Sequence, residues 1–330
     1  MKDKPPTQKD VARYAGVSQA AVSRFVSGRG AVSEATRQRI VKVIDQVNYQ
    51  PDPLARVLSS GRSNIIAIVM ASITNPWYPV VLELITRELH HLGLQTLLFN
   101  ATPPQTVDDL IPLVLQYRVR GVLITTATLH SAAAERCLRH GVPVVMFNRY
   151  SQVANGHSVS TDNVGGGRMA ADALLRTGCR RPAFLGGVPT ASTNRDRRGG
   201  YARRLAEMGV ASPPMLEREF TYRWGYDAAR QLLHAHPDID GLFCADDEIA
   251  AGAIDALRYA LRKRVPEDVR VFGFDDHPVA SQAAYGITTI RQPIEEMIET
   301  AMGLLLDADR GNEHRLLQGQ LIYRDSTPRG

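Results

Sequence analysis

An all-α helix-turn-helix head, joined by a short linker to a two-lobed α/β domain with parallel sheets, is the fold class that this 330-residue chain predicts. Three observations carry it. Positive charge is concentrated at the start: the first 62 residues hold 11 Lys/Arg against 5 Asp/Glu, whereas the remainder holds 28 against 29. The first fifty residues show three short amphipathic helical patterns. From residue 65 onward, Val/Ile-rich runs alternate with helical patterns, and apolar runs without polar alternation belong to strands covered on both faces, as in parallel sheets. A body of this length holds two such lobes rather than one.

In the head, Thr7 precedes a helix over residues 8–15 with Val11, Ala12 and Ala15 on one face. Thr7 and Asp10 have capping-box spacing, Asp standing where Glu or Gln is usual. Gly16-Val17-Ser18 then supplies a residue tolerant of positive φ, an apolar turn residue and an N-cap for a second helix over 19–26. Helix, Gly turn, helix is a helix-turn-helix, and small Ala12, Ala15 and Ala21 let its two helices cross closely. Ser33 is placed to cap a third helix reaching about residue 48, whose Ile40, Val43, Ile44 and Val47 close a small core. Residues 51–61 have helix-starting prolines and a terminating Gly61, yet two turns are not stable alone in water. That segment is expected to order only against a partner and to couple head to body. A basic block on a near-neutral body is the footprint of a part that meets a polyanion. In a helix-turn-helix the start of the second helix enters the major groove, which places Gln19, Ala20 and Arg24 at base edges. Gln bridges adenine N6/N7, Arg grips guanine O6/N7, and Ala reaches only a thymine methyl.

In the body the pattern predicts strands at 65–70, 96–99, 122–125, 144–147, 181–185, 242–244 and 269–274. Helices are expected at 78–92, 108–117, 132–140, 166–177, 199–208, 226–234 and 249–261. Ligand crevices of open parallel sheets lie beyond the carboxyl ends of the strands. Those ends carry Ser72, Asn75, Trp77 and Tyr78, then Asn148 and Arg149, then Asp246 and Asp247, then Asp275 and Asp276. Carboxylates, an amide, arginines and aromatics without a nucleophile suit a hydroxyl-rich ligand. No G-x-S-x-G, H-E-x-x-H, Walker loop or G-x-G-x-x-G occurs, so no catalytic residue and no cofactor is expected. Gly165-Gly166-Gly167 is read as close packing at a helix start rather than as a phosphate cradle. Cys137, Cys179 and Cys244 are scattered, without Cys-x-x-Cys or Cys/His clustering, which argues against a disulfide framework and a metal site; they are read as reduced core thiols. No run approaches 18 apolar residues and the N-terminus has no apolar export segment, so no membrane role and a cytoplasmic address are expected.

The string Thr7-x-x-Asp10-Val11-Ala12-x-x-Ala15-Gly16-Val17-Ser18-x-x-x-Val22-Ser23-Arg24 resembles the DNA-binding head of the lactose/galactose repressor (LacI/GalR) family. The similarity continues through Val32-Ser33-x-x-Thr36-Arg37, Asn48-Tyr49-x-Pro51 and Ala55-Arg56-x-Leu58, and over essentially the whole chain. The resemblance implies that Gln19 and Ala20 are the main specificity pair and that Thr7, Ser18 and Ser23 hold phosphates. It implies a hinge helix that pairs with its dimer mate in the minor groove, with Ala55 among its DNA contacts and Leu58 wedged between base steps. For the body it implies a type I periplasmic-binding-protein-like pair of lobes closing on an effector. Asn148 takes the place usually held by Asp, Arg197 begins an Arg-x-x-Gly-aromatic element ending at Tyr201, Phe220 is the aromatic ring position, and Asp275 lies in Gly-Phe-Asp-Asp; Arg197, Asp246 and Asp275 are the expected direct ligands, and Asp247 and Asp276 are alternatively helix caps. Ser72, Trp77 and Arg149 complete the expected effector set.

Residues 1–50 are thus expected to form the head, 51–62 the hinge, and 63–330 the body. Lobe 1 takes about 63–161 plus 291–320, and lobe 2 about 162–290 plus 321–330. Asp246 stands where the family often has Asn, and Arg149, Arg195 and Arg198 add positive charge, so a sugar acid or phosphorylated sugar is open although Asp246 and Asp275 would repel it, and the expected effector is a carbohydrate or a sugar acid. The expected function is a homodimeric repressor on a palindromic operator of double-stranded DNA. A solute-binding protein with a basic N-terminus is the alternative, opposed by the helix-turn-helix and the absent export segment. A doubly wound enzyme is a third, opposed by the missing catalytic motifs.

Overall fold

The computed structural model describes residues 6–27, 31–50, 63–71, 73–102, 104–125, 131–150, 156–307 and 311–328. The expected hinge, with Ala55 and Leu58, and the strand-end residue Ser72 lie outside the described residues. The chain divides into two compact units, residues 1–64 and 65–330.

In the first unit, helices Gln8–Ala15 (α1), Gln19–Ser27 (α2) and Glu34–Val47 (α3) surround a core of Val11, Ala12, Ala15, Val22, Ile40 and Val43, closed by Tyr49. The capping box forms with Asp at its acidic position: the Thr7 N–H donates to Asp10 Oδ2 at 3.0 Å and the Asp10 N–H to Thr7 Oγ1 at 3.3 Å. Gly16 turns the chain at φ 64°, in the left-handed region, and Ser18 Oγ accepts from the Ala21 N–H at 3.1 Å. Ser33 departs from expectation. It stands at the cap position of α3, but its hydroxyl donates to Thr36 Oγ1 at 2.9 Å and makes no bond to the helix backbone.

The second unit holds two parallel sheets and an antiparallel pair. Strands β1 (Ile65–Ala71), β2 (Gln95–Ala101), β3 (Gly121–Ile124), β4 (Val144–Phe147), β5 (His157–Thr161) and β11 (His314–Leu317) stand in the order β11-β5-β4-β3-β1-β2. The other parallel sheet has β6 (Pro182–Gly186), β7 (Met215–Glu217), β8 (Gly241–Cys244) and β9 (Arg270–Phe272) in the order β7-β6-β8-β9. In each sheet the strand order reverses between two adjacent parallel strands, β1 and β3 in the first and β6 and β8 in the second, which is where an open α/β sheet leaves a crevice. Strands β10 (Thr289–Arg291) and β12 (Gln320–Ile322) pair antiparallel, and the chain passes between the two parallel sheets after Thr161, around Arg291 and after Leu317.

Alternate residues of β1 feed two cores. Ile66, Ile68 and Met70 pack with helices Trp77–His91 (α4) and Ile294–Leu306 (α12), whereas Ala67 and Val69 pack with Val107–Gln116 (α5) and Ser131–Arg139 (α6). With both faces covered, an unbroken apolar run is favoured, which is why β1 is legible. In the second sheet's layer, helices Asn163–Arg176 (α7) and Ser192–Glu207 (α8) cross at Gly167 and Gly200. Added Cβ atoms there would collide with the Arg197 and Val164 carbonyls. Gly166 faces the Phe274 ring, so the glycine triplet serves close packing.

Several elements differ from the sequence pattern. Strand β5 reads His-Ser-Val-Ser-Thr, fully buried yet almost without aliphatic residues, and the three- or four-residue strands β7, β10, β11 and β12 have no pattern of their own. Helix α8 begins at Ser192, ahead of the predicted 199, because its polar first turn is buried. The helix expected over 249–261 is an α-helix only over Asp247–Asp255 (α10) and then widens into a π-helical turn, Ala256–Ala260. The three cysteines are buried free thiols. Among the described residues no helix is long and apolar enough to cross a membrane, and no group of three or more His, Cys, Asp or Glu is placed to hold a metal ion.

Candidate functional site

On the head, burial of Val22 sets the orientation of α2 and leaves Ser18, Gln19, Ala20 and Arg24 exposed, with Ser23 half-buried. Arg24 Nε donates to the Ala20 carbonyl at 3.3 Å. Thr7 is exposed, but its hydroxyl donates to Asp10 Oδ2 at 2.7 Å, so a phosphate contact there competes with the capping box.

In the second unit a cavity of about 270 Å³ opens at the carboxyl ends of both parallel sheets. Asn75 and Trp77 follow β1, and Asn148 and Arg149 follow β4; from the other sheet come Thr193 and Arg197 after β6, Phe220 after β7, Asp246 after β8 and Asp275 after β9. The structure therefore brings together Trp77, Asn148, Arg149, Arg197, Phe220, Asp246 and Asp275 of the expected set. Thr74, Glu219 and Thr221 also line it and are absent from the expected set, as are Val188 and Thr193, which lie between β6 and the expected helix start at 199. Val188 and Thr193 both follow the carboxyl end of β6, the position at which an open parallel sheet presents crevice residues. A larger cavity of about 490 Å³ lies at the opposite strand ends, beside Pro182 and Ile239, and gathers no unpartnered buried polar atom.

Arg197 is fully enclosed. Its Nε donates to Asn163 Oδ1 at 2.8 Å and Nη1 to the Ala245 carbonyl at 2.6 Å. Its Nη2 lies 3.1 Å from Asp275 Oδ1, within ion-pair reach but not aligned as a hydrogen bond. The guanidinium carbon stands 3.6 Å from the Phe274 ring centre. Asp275, with its backbone at φ 108°, also accepts from Gln292 Nε2 at 2.7 Å, and Gln292 Oε1 accepts from the Thr161 hydroxyl at 2.7 Å. Asn148 likewise has a positive φ, 60°. Strained backbone of this kind is typical of positions that must aim a side chain.

Asp246 caps α10, accepting the Ile249 N–H at 2.8 Å on one oxygen, and accepts from Asn75 Nδ2 at 3.1 Å on the other. The capping role open to Asp247 thus belongs to Asp246; Asp247 instead accepts from the Thr289 hydroxyl at 2.7 Å and the His277 N–H at 3.1 Å. Nor does Asp276 cap a helix: it accepts from Arg291 Nε and Arg324 Nη2, each at 2.6 Å. Burial, then the nearby Asp275 carboxylate, push the Asp246 carboxyl up to about 7. Burial also raises Asp275, against the pull of Arg197.

Arg149 donates to the Thr193 hydroxyl and lies 5.4 Å from the Phe220 ring centre, while Tyr150 OH donates to Asp196 at 3.0 Å. Four cavity-lining polar atoms are buried without a hydrogen-bond partner: Trp77 Nε1, Asn148 Oδ1, Arg149 Nε and Arg197 Nη2. An unmatched buried group destabilises by about 1–3 kcal/mol, which the Asp275 carboxylate offsets only for Arg197 Nη2, so the convergence of these atoms marks a place where a polar molecule binds.

Residues 7–52 match the family described as bacterial regulatory proteins, lacI family, and residues 171–327 match the periplasmic binding protein-like domain. The ribose operon repressor of Halalkalibacterium halodurans is 31% identical over 301 residues, 91% of this chain and 89% of that protein. The HTH-type transcriptional regulator CelR of Thermobifida fusca is 32% identical over 334 residues, covering 97% of this chain and 98% of that one. Among solved structures, the lac repressor dimer bound to operator and the anti-inducer ONPF superposes with a TM-score of 0.87 at 26% identity, covering 98% of this chain and 99% of that one. A CelR–cellobiose complex superposes with a TM-score of 0.73 at 30% identity, covering 97% and 99%. These relatives are regulators of transcription, not enzymes. With a helix-turn-helix head, two parallel-sheet lobes and similarity along nearly its full length, this chain belongs to the lacI family of bacterial regulatory proteins.

Proposed function

We propose that the protein is a homodimeric cytoplasmic repressor that reads a palindromic operator and is controlled by a carbohydrate or sugar acid held between its lobes. The observation that carries the effector reading is the set of four unpartnered buried polar atoms around one cavity at the strand ends of both sheets. The exposed Gln19, Ala20 and Arg24 support base reading, with Ser18 and Ser23 on phosphates and Thr7 beside them. A single head makes few contacts, and two-fold pairing lets two heads read two half-sites. Ala55 and Leu58 are assigned to the minor groove on the resemblance alone, and Ser72 to the effector site as the first residue after β1.

The test is a fluorescence-anisotropy titration of the full chain against DNA fragments from upstream of its own gene. A two-fold symmetric site is expected, with affinity falling about a thousandfold between 50 and 200 mM salt if six or more phosphates are contacted. Leu58→Ala is expected to weaken operator binding, and unchanged affinity would discredit the hinge. Failure to protect any symmetric site from nuclease, with the head folded, would remove the operator reading.

A further inference from the structure

The unpartnered atoms around the cavity are unequal in kind. Trp77 Nε1, Arg149 Nε and Arg197 Nη2 are donors, and Asn148 Oδ1 is the one acceptor among them. A neutral sugar brings a donor with every hydroxyl acceptor, whereas a carboxylate brings acceptors only. The charges point the same way. Of the arginines crowding this stretch of sequence, Arg198 is ion-paired to Glu217 at 2.6 Å and Arg195 lies over the Tyr150 ring, 5.9 Å from its centre. Arg197 faces Asp275, and both oxygens of Asp246 are engaged by the Ile249 N–H and Asn75.

Arg149 remains. It is 8% exposed, lines the cavity, and has no carboxylate at ion-pair distance among the described residues. Asp275 feels its charge, but from beyond ion-pair distance; a buried guanidinium with no paired carboxylate is costly, and the cost is lifted by a ligand that brings one. The Phe220 ring and the Thr193 hydroxyl set the pose of its planar fork, which suits a carboxylate.

We propose that the effector is a polyhydroxy carboxylate, one sugar unit in size, whose carboxylate is received by Arg149; the inference rests on the cavity between the lobes being the effector site. The hydroxyls lie toward Arg197, Asp246 and Asp275, where carboxylate acceptors serve them and would repel an anion. One guanidinium without an ion pair matches the single charge of a carboxylate better than the near-double charge of a phosphate ester facing Glu219, Asp246 and Asp275. The volume of about 270 Å³ is small for a ligand pocket and holds one sugar unit rather than two.

Isothermal titration of the full chain tests this with a panel of five- and six-carbon aldonates and uronates, each measured beside its neutral parent sugar and its phosphate ester. At least one acid is expected to bind ten times or more tighter than its neutral parent. Arg149→Gln is expected to abolish that ratio, and Arg149→Lys to restore part of it. The wild-type ratio stands by itself if Arg149→Gln does not fold. A neutral sugar binding as tightly as its acid overturns this inference and leaves the sugar-effector reading intact. A phosphate ester binding tighter than the acid overturns the carboxylate assignment. Silence from every member of the panel overturns the carbohydrate reading, and this inference with it.

Discussion

Asp246 shows how one residue can serve both fold and site. Its β-region backbone and one carboxylate oxygen begin α10, its other oxygen is bonded across the cavity to Asn75, and burial lifts its carboxyl from an ordinary 3.8 to about 7. A carboxyl that holds its proton more tightly in the folded state stabilises that state fully below about pH 4, and the contribution is lost as pH rises through about 7. Asp246→Asn keeps an oxygen for the Ile249 N–H and has no charge to bury. It is therefore expected to raise the melting temperature at pH 8 and to change it little at pH 4.5. An equal shift at both pH values would mean that the carboxyl does not titrate in the folded protein. That Asp246 ends a strand was legible from the chain. That it, rather than Asp247, caps the helix depends on backbone angles no local pattern records.

Among the elements, helix crossings separate two kinds of glycine. Gly200 in α8 abuts the Val164 carbonyl of α7, whereas Gly303 in α12 is exposed with no atom within 4 Å of a Cβ. Gly200→Ala is expected to destabilise by at least about 1–3 kcal/mol through overpacking against rigid backbone. Gly303→Ala is expected to stabilise by about 0.5–1 kcal/mol by restricting the unfolded chain. Urea unfolding measures both, and effects of the same sign would contradict the packing described. The same contrast explains which elements were readable. Strands β1, β3, β4 and β8 are covered on both faces and carry no polar side chain. Strand β5 is as buried, but its Ser158, Ser160 and Thr161 hydroxyls find partners in His314, the Thr161 carbonyl and Gln292, so polar residues fill an interior strand at little cost.

Across the second unit, the cavity is tied to the chain crossings by a line of hydrogen bonds. Thr161 at the first crossing donates to Gln292 at the second, Gln292 donates to Asp275, and Asp275 faces Arg197. A ligand that draws on Arg197 or Asp275 thus acts on the segments joining the sheets, which is what allosteric coupling of about 1–3 kcal/mol requires. Gln292→Leu removes both links while preserving bulk. It is expected to shrink the ratio of operator affinities with and without effector at least threefold, read by anisotropy; an unaltered ratio would show that the coupling runs elsewhere. Through helical and strand periodicity, the amino-acid order alone determined the three-helix head, the parallel-sheet class of the body and the strand-end residues worth inspecting. Those patterns are local, and each is imposed by burial of one face or two. Only the tertiary structure decided which strand ends meet, as where Asn75 reaches Asp246 from 171 residues away. It likewise decided which of the cavity's arginines is left without an ion pair, since pairing depends on where distant chain segments come to rest.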